Sequence, residues 1–367
     1  AQVRKLNPNI LMLGYYHSTN ILMEMYFSND FFDHQIVDYC WVLTHAGLHD
    51  GYGGTEITGD GISETDLKIP VADNRVFSPN QYLLIQNFDT GYEMVQVAPD
   101  WQPEQEQNIV RVRERAVYDQ WGAFPAIAHP AGTRIATVAL PFSGTYGKAR
   151  AELNCTQYCR KSEQTGETWV EFFCRDVTRK MKSEALDDLF DGVFLDNAGR
   201  HAVSSNRHDI AITEEAERAN RSDYTNEEWI KGIFHLYELL KSMMPEKAIL
   251  ANKGYEGYGR IDGAMMEHYH FDYANRTNVE CHYDNWYRFE KNNDRPLNSS
   301  GLFIFNGGGE KQDKDYHAMR FALTRCLMRD GYFLFDDTIQ GHHSKMWWFD
   351  EFDNCGQGKG YLGRPTG

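Results

Sequence analysis

Short apolar runs recur along most of the chain and predict buried β-strands. Eight of them lie outside residues 51–132, and helical patterns separate the later ones. They cover residues 9–16, 37–44, 133–140, 192–195, 248–251, 263–266, 301–305 and 332–335. Strands that are apolar throughout are typical of a parallel sheet covered on both faces. The pattern therefore favours an α/β fold.

Three segments between the strands carry apolar residues at the spacing of one helix face. The second helix is expected to begin near Thr225, which forms a capping box with Glu228, and to end at Pro245. The third spans 315–329. The first helix is predicted from four residues that recur at intervals of four: Trp169, Phe173, Val177 and Met181.

Residues 51–132 show a different pattern. Short alternating segments at 66–71, 82–86, 93–97 and 108–112 are separated by clusters of Pro, Asn, Asp and Gly, which is typical of an all-β module with tight turns. Without this insert about 285 residues are left, a suitable size for a (β/α)8 barrel. The prediction is a TIM barrel, formed by 1–50 and 133–367, with a small all-β module inserted at 51–132.

Composition and charge exclude two classes of partner. The chain has 367 residues and a net charge of −16, from 53 acidic and 37 basic residues. Phosphate backbones require a concentrated basic surface, so no nucleic-acid partner is expected. No stretch of about 18 apolar residues occurs, so no membrane span is expected.

Two features bear on the compartment. The chain begins without Met or an apolar signal-type segment, as a mature secreted form would, and four N-x-S/T sequons occur, at Asn154, Asn220, Asn275 and Asn298. The seven cysteines include no C-x-x-C pair, and their odd number leaves at least one unpaired within the chain. We expect a secreted or extracellular protein.

Polar residues follow most of the predicted strands. In a barrel, the carboxyl ends of the strands converge on one face, where the chemistry takes place. Asp196 and Glu267 each follow a buried-type strand, and they lie two strands apart. Glycoside cleavage needs one protonated and one ionised carboxyl, so these two acids are the predicted catalytic pair. The other strand-end residues are predicted to bind substrate: His17, His45, Asn197, Asn252, Lys253, His268, Asn306 and Asp336.

Each acid also has a structural interpretation. An Asp after a strand often caps the next helix, but the helix after Asp196 begins far downstream, near Thr225. Glu267 could simply open an exposed loop. Asp191 precedes its strand, so it is expected at the opposite face, in a cap or turn. The ring-rich segment 347–353 is equally consistent with helix packing and with one wall of a sugar cleft, in which Trp348 would contact substrate.

No metal or cofactor is predicted. His268 and His270, and likewise His342 and His343, lack the spacing of the helical zinc-protease pair. The glycines at 307–309 lack the Lys and Ser or Thr of a phosphate loop and indicate a flexible turn.

An ordered set of motifs resembles one family. The set comprises Trp169, DGVFLDN at 191–197, Trp229, ILANKG at 249–254, DGAMME at 262–267, RDGYFLFD at 329–336 and WFDEFDNCGQGKGYLG at 348–363. It resembles the TIM-barrel glycoside hydrolases of the hypothetical glycosyl hydrolase family 15 group. The resemblance implies a sugar-directed barrel with Asp196 and Glu267 as its acids. By analogy with other barrels, the former would be the nucleophile and the latter the acid/base.

Two functional hypotheses follow. The first is a glycoside hydrolase that acts on an extracellular or cell-surface polysaccharide through two carboxylates. The alternative is a catalytically silent barrel that serves as a structural or carbohydrate-binding subunit of an extracellular assembly or filament. The alternative is motivated by the unpaired cysteine and by the insert at 51–132, whose sheet edges would allow self-association.

Overall fold

The computed structural model describes residues 2–6, 8, 10–22, 41, 54–87, 91–117, 126–137, 150–162, 164–196, 198, 226–252, 260–270, 302–309, 315–327, 331–337 and 348–353. The chain divides into two compact units. Unit 1 comprises Ala1–Tyr16, Met181–Gly199 and Met244–Gly367, and unit 2 comprises His17–Lys180 and Arg200–Met243. The boundaries at residues 50 and 132 between the barrel and the inserted module remain predictions from the sequence.

The described helices and strands follow one another along the chain in this order: α1 (Gln2–Leu6), β1 (Leu13–His17), β2 (Asn20–Leu22), β3 (Gly54–Glu56), β4 (Lys68–Pro70), β5 (Tyr82–Asn87), β6 (Gly91–Val97), β7 (Ile109–Glu114), β8 (Arg134–Thr137), β9 (Arg150–Glu152), α2 (Trp169–Met181), β10 (Gly192–Asp196), α3 (Asn226–Met243), β11 (Ala248–Asn252), β12 (Gly263–His270), β13 (Leu302–Gly309), α4 (Tyr316–Leu327), β14 (Tyr332–Asp337) and α5 (Asp350–Asp353).

A parallel sheet of six strands, in the order β1-β10-β11-β12-β13-β14, confirms the α/β prediction. Six of the eight predicted strands belong to it. The last three run further than predicted, and β13 includes Gly307–Gly309, which pair in register with Phe335–Asp337. The expectation of a flexible turn at these glycines is therefore wrong.

The TIM barrel is not confirmed. Among the described residues the sheet is open, with β1 directly beside β10 and β14 at the other edge. The strand predicted at 133–140 is found as β8, which pairs antiparallel with β3 and β5 instead. A short apolar run suits either kind of sheet, so its sequence did not identify the partner. Of the strand predicted at 37–44, only Trp41 lies within the described residues.

Two Asp-Gly pairs start strands of the parallel sheet in the same way. Asp191 accepts a hydrogen bond from the backbone N–H of Met12 at 2.8 Å, and Asp262 accepts one from Ile249 at 2.8 Å. On the other side of the strand, the glycine that follows each Asp packs against a backbone carbonyl oxygen of the next strand in the sheet. A Cβ on Gly192 would lie 2.0 Å from the oxygen of Ala248, and Gly263 meets Leu302 at the same distance. Each pair thus fixes one strand against both of its neighbours.

The register determines which side chains share a face, because paired residues of a parallel ladder point to the same side. Leu195 pairs with Ala251, which makes Asp196 level with Asn252, and Asn252 in turn pairs with Met265. We call the face that carries these residues the site face. The opposite face, called the helix face, is almost fully buried: Val193, Leu195, Ile249, Ala251, Ala264, Phe305 and Phe335 are each at most 2% exposed.

Helices α4 and α5 cover the helix face at β14. Phe335 forms a buried cluster with Met319 of α4 and with Phe349, which immediately precedes α5. Asp315 caps α4 by accepting a hydrogen bond from the N–H of Ala318 at 3.1 Å. This packing places the two helices on the side of the sheet opposite the site face.

In unit 2, α2 and α3 confirm the helix predictions. The predicted inward residues of α2 are all buried, and Trp169 packs on Trp41 with ring centroids 5.8 Å apart. Thr168 and Glu171 form a capping box at the start of α2. The predicted stripe of α3 is also buried: Trp229, Ile233, Leu236, Leu240 and Met244.

The inserted module is an antiparallel sheet in the order β3-β8-β5-β6-β7-β4. Its two end strands meet, because Ile57 and Val71 form a bridge and the N–H of Thr58 donates to Pro70 at 2.9 Å. The module is therefore a closed six-stranded barrel around an apolar core. Closure removes free strand edges. The expectation that the insert offers sheet edges for docking is wrong for the part that the structure describes.

A buried ion pair fastens this small barrel. Arg115 and Glu93 are 5% and 0% exposed, and both guanidinium–carboxylate contacts measure 2.5 Å. Arg115 also donates to the carbonyls of Ser63, Asp66 and Ile127. Burial raises the pKa of Glu93, but it is outweighed by hydrogen bonds from Arg115, His129 and the Ala116 N–H and by the charge of Arg115. The pKa of Glu93 therefore lies below its ordinary value of 4.5.

We expect Gly192→Ala to lower the free energy of unfolding by about 1–3 kcal/mol or more, because the new Cβ would push β10 and β11 apart. Gly14→Ala in β1 is the matched control: its Cβ would meet the side chains of Tyr16 and Met181 at 3.2 and 3.3 Å, and the nearest backbone atom, the oxygen of Gly192, lies at an ordinary contact distance of 3.9 Å. Urea unfolding followed by circular dichroism measures both. Equal losses in the two variants would contradict the close-approach explanation.

Glu93→Gln should lower the free energy of unfolding by about 3–5 kcal/mol, because it leaves Arg115 charged and buried without its partner. The exposed Glu114→Gln is the control and should change it by less than about 0.5 kcal/mol. Since the folded pKa of Glu93 is lowered, its contribution is present above pH 4.5 and is lost as the pH falls through the folded value. Unfolding measured at neutral and acidic pH should show the two proteins converging in acid.

Candidate active site

Asp196 is the last residue of β10, at the carboxyl end of a parallel strand. The strand is buried at Val193 and Leu195 on the helix face, whereas Phe194 and Asp196 are half-buried on the site face. Alternation along the strand thus directs the carboxylate away from the buried core. The position agrees with the prediction from sequence.

Both oxygens of the Asp196 carboxylate accept hydrogen bonds from neighbouring strands. The Nδ2 of Asn252, at the end of β11, donates to Oδ1 at 2.8 Å. The hydroxyl of Tyr15, in β1, donates to Oδ2. Donors on both oxygens favour the ionised carboxylate and hold its plane in one orientation. Such a group suits attack on an electrophilic carbon or activation of water.

Tyr15 was not identified from the sequence. Its ring stacks on Phe194 with centroids 5.8 Å apart and an angle of 24° between the planes. Its side chain is 55% exposed. Strand periodicity alone could have placed Tyr15 on the same face as His17, but only the pairing of β1 with β10 brings its hydroxyl to Asp196.

Glu267 lies within β12 and not at the end of a strand. The strand continues to His270, and its register with β13 shifts between Met266 and Tyr269. Asp196 is level with Asn252, and Asn252 pairs with Met265 of β12. Glu267 therefore lies two strands away from Asp196 and two residues further along the strand direction. Their backbones are therefore offset by about 10 Å across the sheet and by about 7 Å along the strand direction. The side chains of Glu267 and His268 lie outside the described set.

The other predicted site residues are placed as follows. Asn252 and Asn306 are 5% and 2% exposed, and the register puts Asn306 on the site face two residues beyond Ile304. His17 ends β1, and Asp336 pairs along the backbone with Gly308. His45, Asn197 and Lys253 lie outside the described residues.

Trp348 is not brought to this group. Its ring meets Phe352 edge-on at 5.6 Å, and Phe352 packs on Phe333 and Phe349 on the helix side of β14. Of the two interpretations of the segment 347–353, these contacts favour helix packing. The ring is nevertheless 60% exposed.

Asp191, at the other end of β10, has a structural role. Its carboxylate forms an ion pair with Arg4 at 2.8 Å in addition to its bond from the Met12 N–H. Burial acts to raise the pKa of Asp191, but the Met12 and Arg4 hydrogen bonds lower it below the ordinary value. The two acids of this one strand therefore differ in role: Asp191 anchors the N-terminal segment, and Asp196 faces the candidate site.

Metal-binding clusters and membrane-spanning helices are both absent from the described part of the chain. Its residues form no group of three or more His, Cys, Asp or Glu side chains that could hold a metal ion. None of its helices is long and apolar enough to cross a membrane.

Comparisons with known proteins give one family and one structure. The model of a family described as hypothetical glycosyl hydrolase family 15 matches residues 157–367, which include β10 to β14. The structure of the glycoside hydrolase domain of PelA from Pseudomonas aeruginosa is 12% identical in sequence to the chain, with a TM-score of 0.34. The matched region covers 56% of this chain and 71% of the PelA domain. No curated protein matches the chain.

We expect Asp191→Ala to lower the free energy of unfolding by about 1–3 kcal/mol, because Arg4 and the Met12 N–H lose their acceptor. The effect should be largest at neutral pH and shrink in acid, since a lowered pKa means that the stabilisation is lost as the carboxylate is protonated. Thermal unfolding at several pH values measures it. The exposed Asp188→Ala, three residues earlier, should have little effect, and equal stability of the two variants would contradict the anchoring role.

Proposed function

Because the chain belongs to the hypothetical glycosyl hydrolase family 15, we propose that it is a glycoside hydrolase with Asp196 and Glu267 as its catalytic acids. The observation that carries the assignment is the doubly hydrogen-bonded carboxylate of Asp196 at the carboxyl end of β10. The family match covers both acids, and it favours an oligo- or polysaccharide as substrate. An extracellular or cell-surface polysaccharide, met by a secreted enzyme, is the proposed setting.

In the proposed mechanism the two acids take different roles. Asp196, held ionised by two donors, attacks the anomeric carbon or takes a proton from the attacking water. Glu267 gives a proton to the glycosidic oxygen as the bond to the leaving sugar breaks. If Asp196 has bonded to the sugar, Glu267 then takes a proton from the water that breaks the Asp196–sugar bond, which restores both acids. A carboxyl separation of about 5–5.5 Å corresponds to retention of configuration, and about 6.5–9.5 Å to inversion. The anomer formed first in the product distinguishes the two courses.

Side chains near Asp196 supply the proposed sugar contacts. The exposed ring of Tyr15 offers a flat apolar surface, and the amides of Asn252 and Asn306 offer donors and acceptors on the same face. The remaining residues proposed to bind substrate are His17, His45, Asn197, Lys253, His268 and Asp336. Trp348 has the weakest support, because its contacts are with the helix layer.

The alternative of a silent structural subunit has no specific observation in its favour. It depends on sheet edges in the insert and on an unpaired cysteine. The described insert is a closed barrel, and four cysteines among the described residues are buried: Cys155, Cys159, Cys174 and Cys326.

A screen of aryl glycosides and polysaccharides tests the proposal. We expect the wild-type protein to release sugar from at least one of them, and Asp196→Asn to reduce that rate by at least about 10²–10⁴-fold. Glu267→Gln should lower the rate of cleavage of the natural glycan to a similar extent. It should keep much of the kcat/KM for a dinitrophenyl glycoside, because that leaving group needs no proton.

The exposed Asp188→Asn is the matched control and should keep wild-type activity. Circular dichroism confirms that each variant is folded. An Asp196→Asn protein that is folded and still hydrolyses the same glycoside at the wild-type rate would refute the assignment.

A further inference from the structure

We infer that Tyr15 is a positioning residue that keeps Asp196 ionised and fixes its carboxylate plane during glycoside cleavage. The inference rests on the proposed function for its catalytic meaning. It assigns a role in the reaction to β1, which lies outside the segment matched by the family model.

The geometry of the contact between Tyr15 and Asp196 supports this role. Tyr15 and Asp196 lie on adjacent strands and on the same face of the sheet. The stack of Tyr15 on Phe194 restricts the ring, so the hydroxyl is presented to Oδ2 by a preorganised group. A phenol held in this way loses little conformational entropy when it makes its hydrogen bond.

The two donors bind different oxygens of the Asp196 carboxylate and differ in their exposure. Asn252, 5% exposed, occupies Oδ1 from the buried side, whereas Tyr15, 55% exposed, occupies Oδ2 from the open side. With a donor on each oxygen, rotation of the carboxylate breaks a hydrogen bond, and protonation weakens the hydrogen bonds that it accepts. Asp196 is therefore suited to be nucleophile or base, and the proton must come from another acid.

Residues on other strands of the sheet surround the contact between Tyr15 and Asp196. His17 lies two residues after Tyr15 in β1, which adjoins β10, and Glu267 lies in β12, two strands away from β10. Asn252, from β11, carries no charge. When a sugar covers the site and displaces water, the hydroxyl of Tyr15 stays bonded to Oδ2, and the lower local dielectric strengthens that bond.

The test uses Tyr15→Phe, which keeps the stack on Phe194 and removes only the hydroxyl. The matched control is Tyr332→Phe, in the edge strand β14, where the side chain is 58% exposed. The full-length protein is labelled with ¹³C at the Asp carboxyl carbons, and the Asp196 resonance is assigned by its absence in Asp196→Asn. Its titration midpoint is then measured in each protein without any substrate.

We expect the Asp196 midpoint to rise by about one to two pH units in Tyr15→Phe, and to be unchanged in Tyr332→Phe. On the aryl glycoside that the wild type cleaves best, the acidic limb of the kcat/KM profile should move up by the same amount. An unchanged Asp196 midpoint in Tyr15→Phe would overturn the inference and leave the glycosidase assignment standing. A shifted midpoint in a protein that hydrolyses no glycoside would support the contact and refute the proposed function.

Discussion

Close backbone approach at two Asp-Gly pairs is the constraint on which the parallel sheet depends. At Gly192 and Gly263 a carbonyl oxygen of the next strand takes the space that a Cβ would need. On the other side, the preceding Asp fixes the previous strand through one of its backbone N–H groups. Strand position is therefore set from both sides, and the register follows. A slip of one residue would turn Asp196 away from Asn252 and into the apolar helix face.

The same strand shows how environment separates two chemically identical side chains. Asp191 lies where the strand begins and is neutralised by Arg4, so its charge stabilises the fold. Asp196 lies where the strand ends and is bound by two neutral donors, Tyr15 and Asn252. Neutral donors orient a carboxylate and favour its ionised form without cancelling its charge. The two acids thus differ in the contacts that the structure describes: Asp191 accepts from a guanidinium and a backbone N–H, whereas Asp196 accepts from a phenol and an amide.

The inserted module shows how the two end strands of a small β-sheet are joined to each other. Its six strands close on themselves through the bridge between Ile57 and Val71. The ion pair of Glu93 and Arg115 lies fully inside, and its donors also satisfy three carbonyls of nearby turns. Replacement of either partner would leave an uncompensated buried charge. The module is thus self-contained, in contrast to the open edge strands that its sequence suggests.

The sequence by itself determined the local elements and the position of one acid of the candidate site. Apolar runs and helical spacing identified six strands of the parallel sheet and the three longer helices, and the polar residue after the run at 192–195 identified Asp196. These features depend on near neighbours in the chain, so a pattern of polar and apolar residues is enough to reveal them.

Only the tertiary structure decided the partners of the strands. The apolar run at 133–140 forms β8 of the antiparallel barrel. In the parallel sheet, β1 lies beside β10. That pairing brought Tyr15 to Asp196 across 181 residues of sequence, and it could not be inferred from local pattern. The physical reason is that side-chain alternation specifies which face a residue occupies, whereas the neighbour it meets there is set by long-range backbone pairing.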